Sequence, residues 1–376
     1  MLRVSVGWLF VGGLVLGLAL GCGSSVEGES GAGASSSSGA GSSGAGASGA
    51  TGGSGLGAGT GGTSASGGMG TGAGAGGPVG SCSDAPPPGA ATPPPPPTYA
   101  GTCPTITTGS NTIQSSGNNR QFLAVLPSDP QPGKSFPLVF LWHWLGGDAT
   151  GFLEQGEVQS AADEYRFIAL IPEKKGDVQF TWPMDALSSS ARAEEEMVFF
   201  DDMFACVAEL FPIDVNCVSS TGVSAGALFT AQLAGGRGEH LASIMSLSGG
   251  VGGVVKPWKT PAHAMPAMVL WGGRDDFCVA VDFAQASHEL EKGLEADGNF
   301  VLECIHNCAH STPPFDVPDG YPTFAPLWMF ALDHPYWLPE GHSPYEGGLP
   351  VGYPEWCAVG AGNASERVGV CDGSQC

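Results

Sequence analysis

From Phe122 onward the chain repeats one theme: a short apolar run, then a polar or helical stretch, then another apolar run. Seven runs have the length of a strand: 122–127 (FLAVLP), 137–143 (PLVFLWH), 167–172 (FIALIP), 217–222 (CVSSTG), 244–249 (IMSLSG), 267–273 (AMVLWGG) and 300–304 (FVLEC). Several are apolar without alternation, as expected of strands buried on both faces. Two stretches between them have helical spacing. Residues 194–211 place Met197, Phe200, Phe204, Val207 and Leu210 on one stripe behind three leading acids, and 281–298 align Phe283, Ala286, Leu290 and Leu294. Strands separated by helices predict an α/β class, with a mostly parallel sheet covered by helices on both faces.

The rest of the chain has a different character. Residues 23–98 are almost entirely Gly, Ser, Ala, Thr and Pro, with Glu27, Glu29 and Asp84 as the only charges. Such a tract buries too little apolar surface to offset its ordering entropy, so it reads as a disordered tether. Its end, 85–98, is proline-rich and reads as stiffer polyproline II. Residues 99–376 then form the candidate catalytic domain, with a cysteine-containing tail. Residues 1–22 read as a signal peptide: Arg3 precedes an apolar, glycine-containing run that ends at Cys22. This resembles a bacterial lipoprotein signal, with Ala19 where that pattern prefers Leu. The expected localisation is extracellular or at the cell surface, through a lipidated Cys22 in the outer membrane or by plain cleavage and release.

The net charge of −23 argues against nucleic acid as a partner. Without Cys22 the cysteines number ten, an even set that reads as disulfides in an exported protein. Spacing does not decide connectivity; Cys82–Cys103, Cys206–Cys217 and Cys304–Cys308 are the nearest-neighbour pairings.

The pattern G-x-S-x-G occurs once, at Gly222–Gly226 in "STGVSAGALF", between a strand-like run and a helix-like run. There it reads as a nucleophile elbow: a turn too sharp for large neighbours, with Ser224 exposed at the carboxyl end of the sheet. The alternative is a tight small-residue turn that packs a helix on a sheet. The amide of Ala225 would face a developing oxyanion. A serine alcohol needs a base, and the base an orienting acid. Downstream, "VLWGGRDDF" offers Asp275, preferred over Asp276, at a strand end. "ECIHNCAHSTPP" offers His310, preferred over His306. His288, His334 and His342 are more distant possibilities. A second oxyanion amide would come from Trp144 or Leu145 after the run 137–143, with His143 bracing that loop. Cys304, His306, Cys308 and His310 alternate along one segment, but lack the usual zinc spacing, and no metal is expected.

These pieces, in this order over most of residues 105–315, resemble secreted α/β-hydrolase esterases of the poly(3-hydroxybutyrate) depolymerase and feruloyl/acetylxylan esterase type. The resemblance implies an α/β-hydrolase fold and a Ser-His-Asp acyl-enzyme mechanism through Ser224, His310 and Asp275. It implies ester substrates, polymeric ones included, and no cofactor. Two places depart from the group's pattern: His143-Trp144 stands where a His-Gly pair is common, and Trp271 stands where the acid loop often begins with His. A peptidase on the same fold, or a surface binding protein with a decayed site, is the alternative. Trp182, Trp258, Phe277, Trp328 and Trp337 are candidate pocket aromatics.

Overall fold

The computed structural model describes residues 80–129, 133–317 and 320–371. The expected signal segment, Cys22 and most of the expected tether lie outside the described residues. The strands are β1 (Gly109–Ser115), β2 (Asn118–Val125), β3 (Phe136–Trp142), β4 (Ile168–Pro172), β5 (Ile213–Val223), β6 (Ser243–Leu247), β7 (Ala267–Trp271), β8 (Phe277–Cys278), β9 (Val281–Asp282), β10 (Val301–Ile305) and β11 (Cys357–Val359). The α-helices are α1 (Ala149–Gln155), α2 (Val158–Tyr165), α3 (Ser190–Leu210), α4 (Ala225–Arg237), α5 (Phe283–Ala296) and α6 (Ala325–Leu332).

Nine strands form one sheet in the order β1-β2-β4-β3-β5-β6-β7-β10-β11. The six from β4 to β10 pair in parallel. Antiparallel pairs close each edge, β1 and β2 on one side and β11 on the other. All seven strands expected from the apolar runs are present; the α/β class expected from their order and the α/β-hydrolase fold implied by the resemblance are the fold observed. Because side chains alternate along a strand, one run feeds two cores. Leu138, Phe140 and Trp142 of β3 pack with Phe200 and Phe204 of α3 and Leu228 of α4. Val139 and Leu141 of the same strand pack with α1 and α2 on the opposite face. Farther along that face, Met245, Leu247, Met268 and Leu270 meet Leu327 and Phe330 of α6.

Four disulfides among the described residues replace all three nearest-neighbour pairings: Cys82–Cys217, Cys103–Cys206, Cys304–Cys357 and Cys308–Cys371. Cys206 projects from α3 and Cys217 from β5, so each reaches an N-terminal partner instead of the other. Cys304 lies opposite Cys357 where β10 pairs with β11. Cys278 is disulfide-bonded as well.

The expected domain start at residue 99 is too late. Gly80 packs against the Trp337 ring, the Cys82 amide donates to the Leu332 carbonyl at 2.7 Å, and Cys82 is bonded to β5. Residues 80–98 therefore belong to the domain, although they carry no helix or strand. Among the described residues no helix is long and apolar enough to cross a membrane.

Candidate active site

Ser224 follows the last residue of β5 and precedes the first of α4. Its φ of 55° and ψ of −119° are unusual for a residue with a side chain. The conformation is held from several sides. The Ser224 amide donates to the Leu247 carbonyl at the end of β6 at 2.9 Å, and the Ser224 carbonyl accepts from the amides of Ala227 (2.9 Å) and Leu228 (3.0 Å). Both motif glycines are sterically required. A Cβ on Gly222 would lie 2.2 Å from the Gly226 carbonyl carbon, and one on Gly226 would lie 1.9 Å from the Trp142 carbonyl oxygen.

The histidine comes from the loop after β10. His310 Nε2 lies 2.9 Å from Ser224 Oγ, and its Nδ1 lies 2.6 Å from Asp276 Oδ1. The Phe283 ring stacks on the imidazole with centroids 4.2 Å apart. Asp276, and not the expected Asp275, is the acid in contact. Residues Gly273–Asp275 form a 3₁₀ turn that leaves Asp275 out in solvent, 77 % exposed and 3.5 Å from Arg274 Nε. Asp276 is the next residue, and it is fully buried. Its Oδ2 accepts from the Gly272 amide at 2.7 Å and from Ser248 Oγ at 2.8 Å. Two adjacent aspartates in one loop are indistinguishable to spacing arguments, and the side that faces inward is decided by the turn.

Ser248 escaped the sequence reading. It is buried, with φ of 47°, just beyond β6. The available signal was a serine at the carboxyl end of a central strand, where sheets of this type gather their chemistry.

The other histidines are accounted for elsewhere. His306 is buried, its Nδ1 accepts from the Cys308 amide at 3.1 Å, and its amide donates to the Trp271 carbonyl. Burial lowers its pKa to about 4, so it is neutral at pH 7. With Cys304 and Cys308 in disulfides and His310 facing Ser224, the alternating Cys/His run does not assemble as a ligand set. His334 is buried between the Phe330 carbonyl and Ser343 Oγ, and His342 pairs with Glu346 at 2.7 Å. His143 braces its loop, with Nδ1 3.0 Å from the Trp144 carbonyl and a pKa lowered to about 4 chiefly by burial.

Of the oxyanion candidates, Ala225 heads α4, where the helix dipole favours negative charge. Leu145 lines the apolar cleft over Ser224, together with Phe180, Met184, Leu228, Val279 and Phe283. The Trp144 side chain packs on Gly147 and the Phe152 ring instead. None of the five candidate aromatics lines this cleft. Trp182 is fully buried beneath it, donating from Nε1 to the His143 carbonyl at 2.8 Å. The cleft wall comes partly from the β8–β9 hairpin, which is too short to leave a sequence pattern.

No family model matches the chain. It is 28 % identical over 149 residues to feruloyl esterase D of Neurospora crassa, covering 39 % of this chain and 51 % of that protein. It is 26 % identical over 149 residues to feruloyl esterase C of Emericella nidulans, covering 39 % of this chain and 52 % of that one. The chain thus spans about half the length of the curated relatives it matches. Among solved structures, native pOPH aligns with a TM-score of 0.55 at 16 % identity, covering 69 % of this chain and 97 % of the other. Native sOPH aligns with a TM-score of 0.53 at 19 % identity, covering 70 % and 97 %. The structural matches carry the fold, the sequence matches carry the likeness to feruloyl esterases, and the resemblance expected from the motifs is borne out.

Proposed function

We propose that this protein is a serine hydrolase of carboxylic esters that works through an acyl-enzyme. The observation that carries the reading is the unbroken hydrogen-bonded chain from Asp276 through His310 to Ser224 at a strained strand–helix turn. The likeness to feruloyl esterases supports it independently. Asp276 accepts from Nδ1–H, which leaves Nε2 to take the Ser224 proton as Oγ attacks the ester carbonyl. The amide of Ala225, with that of Leu145 or Trp144, holds the oxyanion. The imidazolium then protonates the leaving alcohol. In the second half Nε2 takes a proton from water, whose oxygen attacks the acyl carbon. The carboxylic acid leaves and the proton returns to Ser224 Oγ.

The likeness to feruloyl esterases makes feruloyl esters the first substrates to examine, with acetyl esters beside them. The complete chain of hydrogen bonds is an argument against a decayed site. The disulfides support export to an oxidising compartment. Attachment through a lipidated Cys22 is the further step in this reading, and it is tested by fatty-acid labelling of the wild type beside Cys22→Ser. The decisive experiment on activity compares the full chain with Ser224→Ala on p-nitrophenyl acetate and methyl ferulate. Turnover by the wild type that falls to background in the folded variant supports the reading. Turnover retained by the variant overturns it.

A further inference from the structure

Away from Ser224, two carboxylates share one buried place. Glu291 on α5 is 1 % exposed and Glu303 on β10 is fully buried. Among the described residues neither lies within ion-pairing distance of a lysine or arginine. Each leaves one oxygen, Oε1, buried without a hydrogen-bond partner. The remaining oxygens are engaged: Glu303 Oε2 accepts from the Ala364 amide at 2.6 Å, and Glu291 Oε2 lies 3.3 Å from His288 Nδ1. One ligand atom from each of His288, Glu291 and Glu303 lies within 4.8 Å of the others. His288 sits one helical turn before Glu291 and is exposed, so the cluster opens to solvent on the imidazole side. A cavity of about 450 Å³ reaches His288 from that side, bordered by Trp271, Gly273, Arg274 and Glu366.

Two buried carboxyls with unpaired oxygens are unfavourable whenever both are ionised, and a cation between them reverses the sign of that interaction. One imidazole and two carboxylates fit a transition-metal ion of the zinc type. Calcium prefers six to eight oxygen ligands and magnesium keeps an octahedral shell of oxygen. We propose that His288, Glu291 and Glu303 bind one divalent zinc-type cation that joins α5 to β10. The two elements bear on the catalytic histidine from different sides. Helix α5 begins at Phe283, whose ring stacks on His310, and β10 runs directly into the loop that carries it. The ion's role is to brace that loop, since no part of the cluster touches Ser224.

The test uses the full chain, stripped with a chelator and dialysed, and does not read ester hydrolysis, so its outcome is separable from the activity proposed above. Zinc chloride is titrated by calorimetry and by thermal melting, with calcium chloride as the control, and cobalt(II) is added as a spectroscopic probe. The expected result is one zinc ion per chain, a raised melting temperature, and a cobalt absorption typical of nitrogen and oxygen ligands. His288→Ala changes an exposed side chain and should melt like the wild type in chelator, yet bind zinc more than about ten-fold more weakly. Glu303→Gln, which preserves size, should do the same. No saturable zinc binding by the wild type, undiminished binding by His288→Ala, or equal stabilisation by calcium would each overturn the proposal.

Discussion

Gly272 lies directly beneath Ala309: a Cβ at Gly272 would come within 1.7 Å of the Ala309 carbonyl oxygen. The acid-bearing loop and the histidine-bearing loop therefore touch backbone to backbone, one residue before His310. Gly272→Ala should push them apart while leaving the sheet intact. We expect a fall in kcat/KM of about 100-fold, the effect of misplacing a catalytic group by roughly an ångström. The melting temperature should drop only modestly. Steady-state kinetics beside circular dichroism checks both.

The two aspartates should separate cleanly. Asp276→Asn removes the acceptor for His310 Nδ1–H and should lower kcat by about 10⁴-fold. Asp275→Asn alters an exposed side chain paired with Arg274, and should leave kcat within about two-fold, as exposed ion pairs contribute little. Equal losses in the two variants would refute the placement of Asp276.

Ser248→Ala deletes one of the two hydrogen bonds to Asp276 Oδ2 and leaves the Gly272 amide in place. The expected cost is about 1–2 kcal/mol, seen as a drop of roughly ten-fold in kcat with little change in KM. An unchanged kcat would mean that the Gly272 amide alone positions the carboxylate.

Three buried histidines set an acid limit on stability. His143, His306 and His334 each have a pKa lowered from 6.5 to about 4, mainly by burial. The unfolded chain binds their protons first, so the stabilisation is complete above about pH 6.5 and is lost as pH falls towards 4. Each group contributes up to about 1.4 kcal/mol per pH unit across that window. Melting curves should fall with increasing steepness from pH 6.5 to 4, and His334→Gln should lessen the slope by about a third. A flat profile through that range would contradict the neutral, buried state of these rings.

Much of the central sheet was legible because its strands are buried on both faces, and a run such as PLVFLWH has few other uses. Strand β1 was not. Its sequence, GSNTIQS, turns Asn111, Ile113 and Ser115 inward, and an inward face with two polar residues carries no apolar pattern. Strand β11 is three residues long and is defined by the disulfide Cys304–Cys357 more than by composition. Ser224 was legible because glycines on either side of a serine at a strand–helix junction serve a backbone need. His310 was legible from its place after a strand. Asp276 was not separable from Asp275, because a 3₁₀ turn decides which side chain faces inward. Ser248 reaches Asp276 only because β6 and β7 lie side by side in the sheet, and Glu291 and Glu303 meet only where α5 turns back against β10, contacts that neither spacing nor composition marks.

The Cys82–Cys217 bond sets the path of mechanical load through the domain. Tension arriving along the chain ahead of Cys82 passes across this bond into β5, the strand that ends at Ser224 and is hydrogen-bonded on both sides by β3 and β6. It bypasses residues 83–102, and a second bond, Cys103–Cys206, anchors the chain to α3 ahead of the edge hairpin of β1 and β2, which could otherwise be peeled away one bond at a time. Reducing Cys82–Cys217 alone should pass the load to α3 through Cys103–Cys206, and only reducing both bonds should convert a domain that yields in shear at its centre into one that unzips from its edge at lower force.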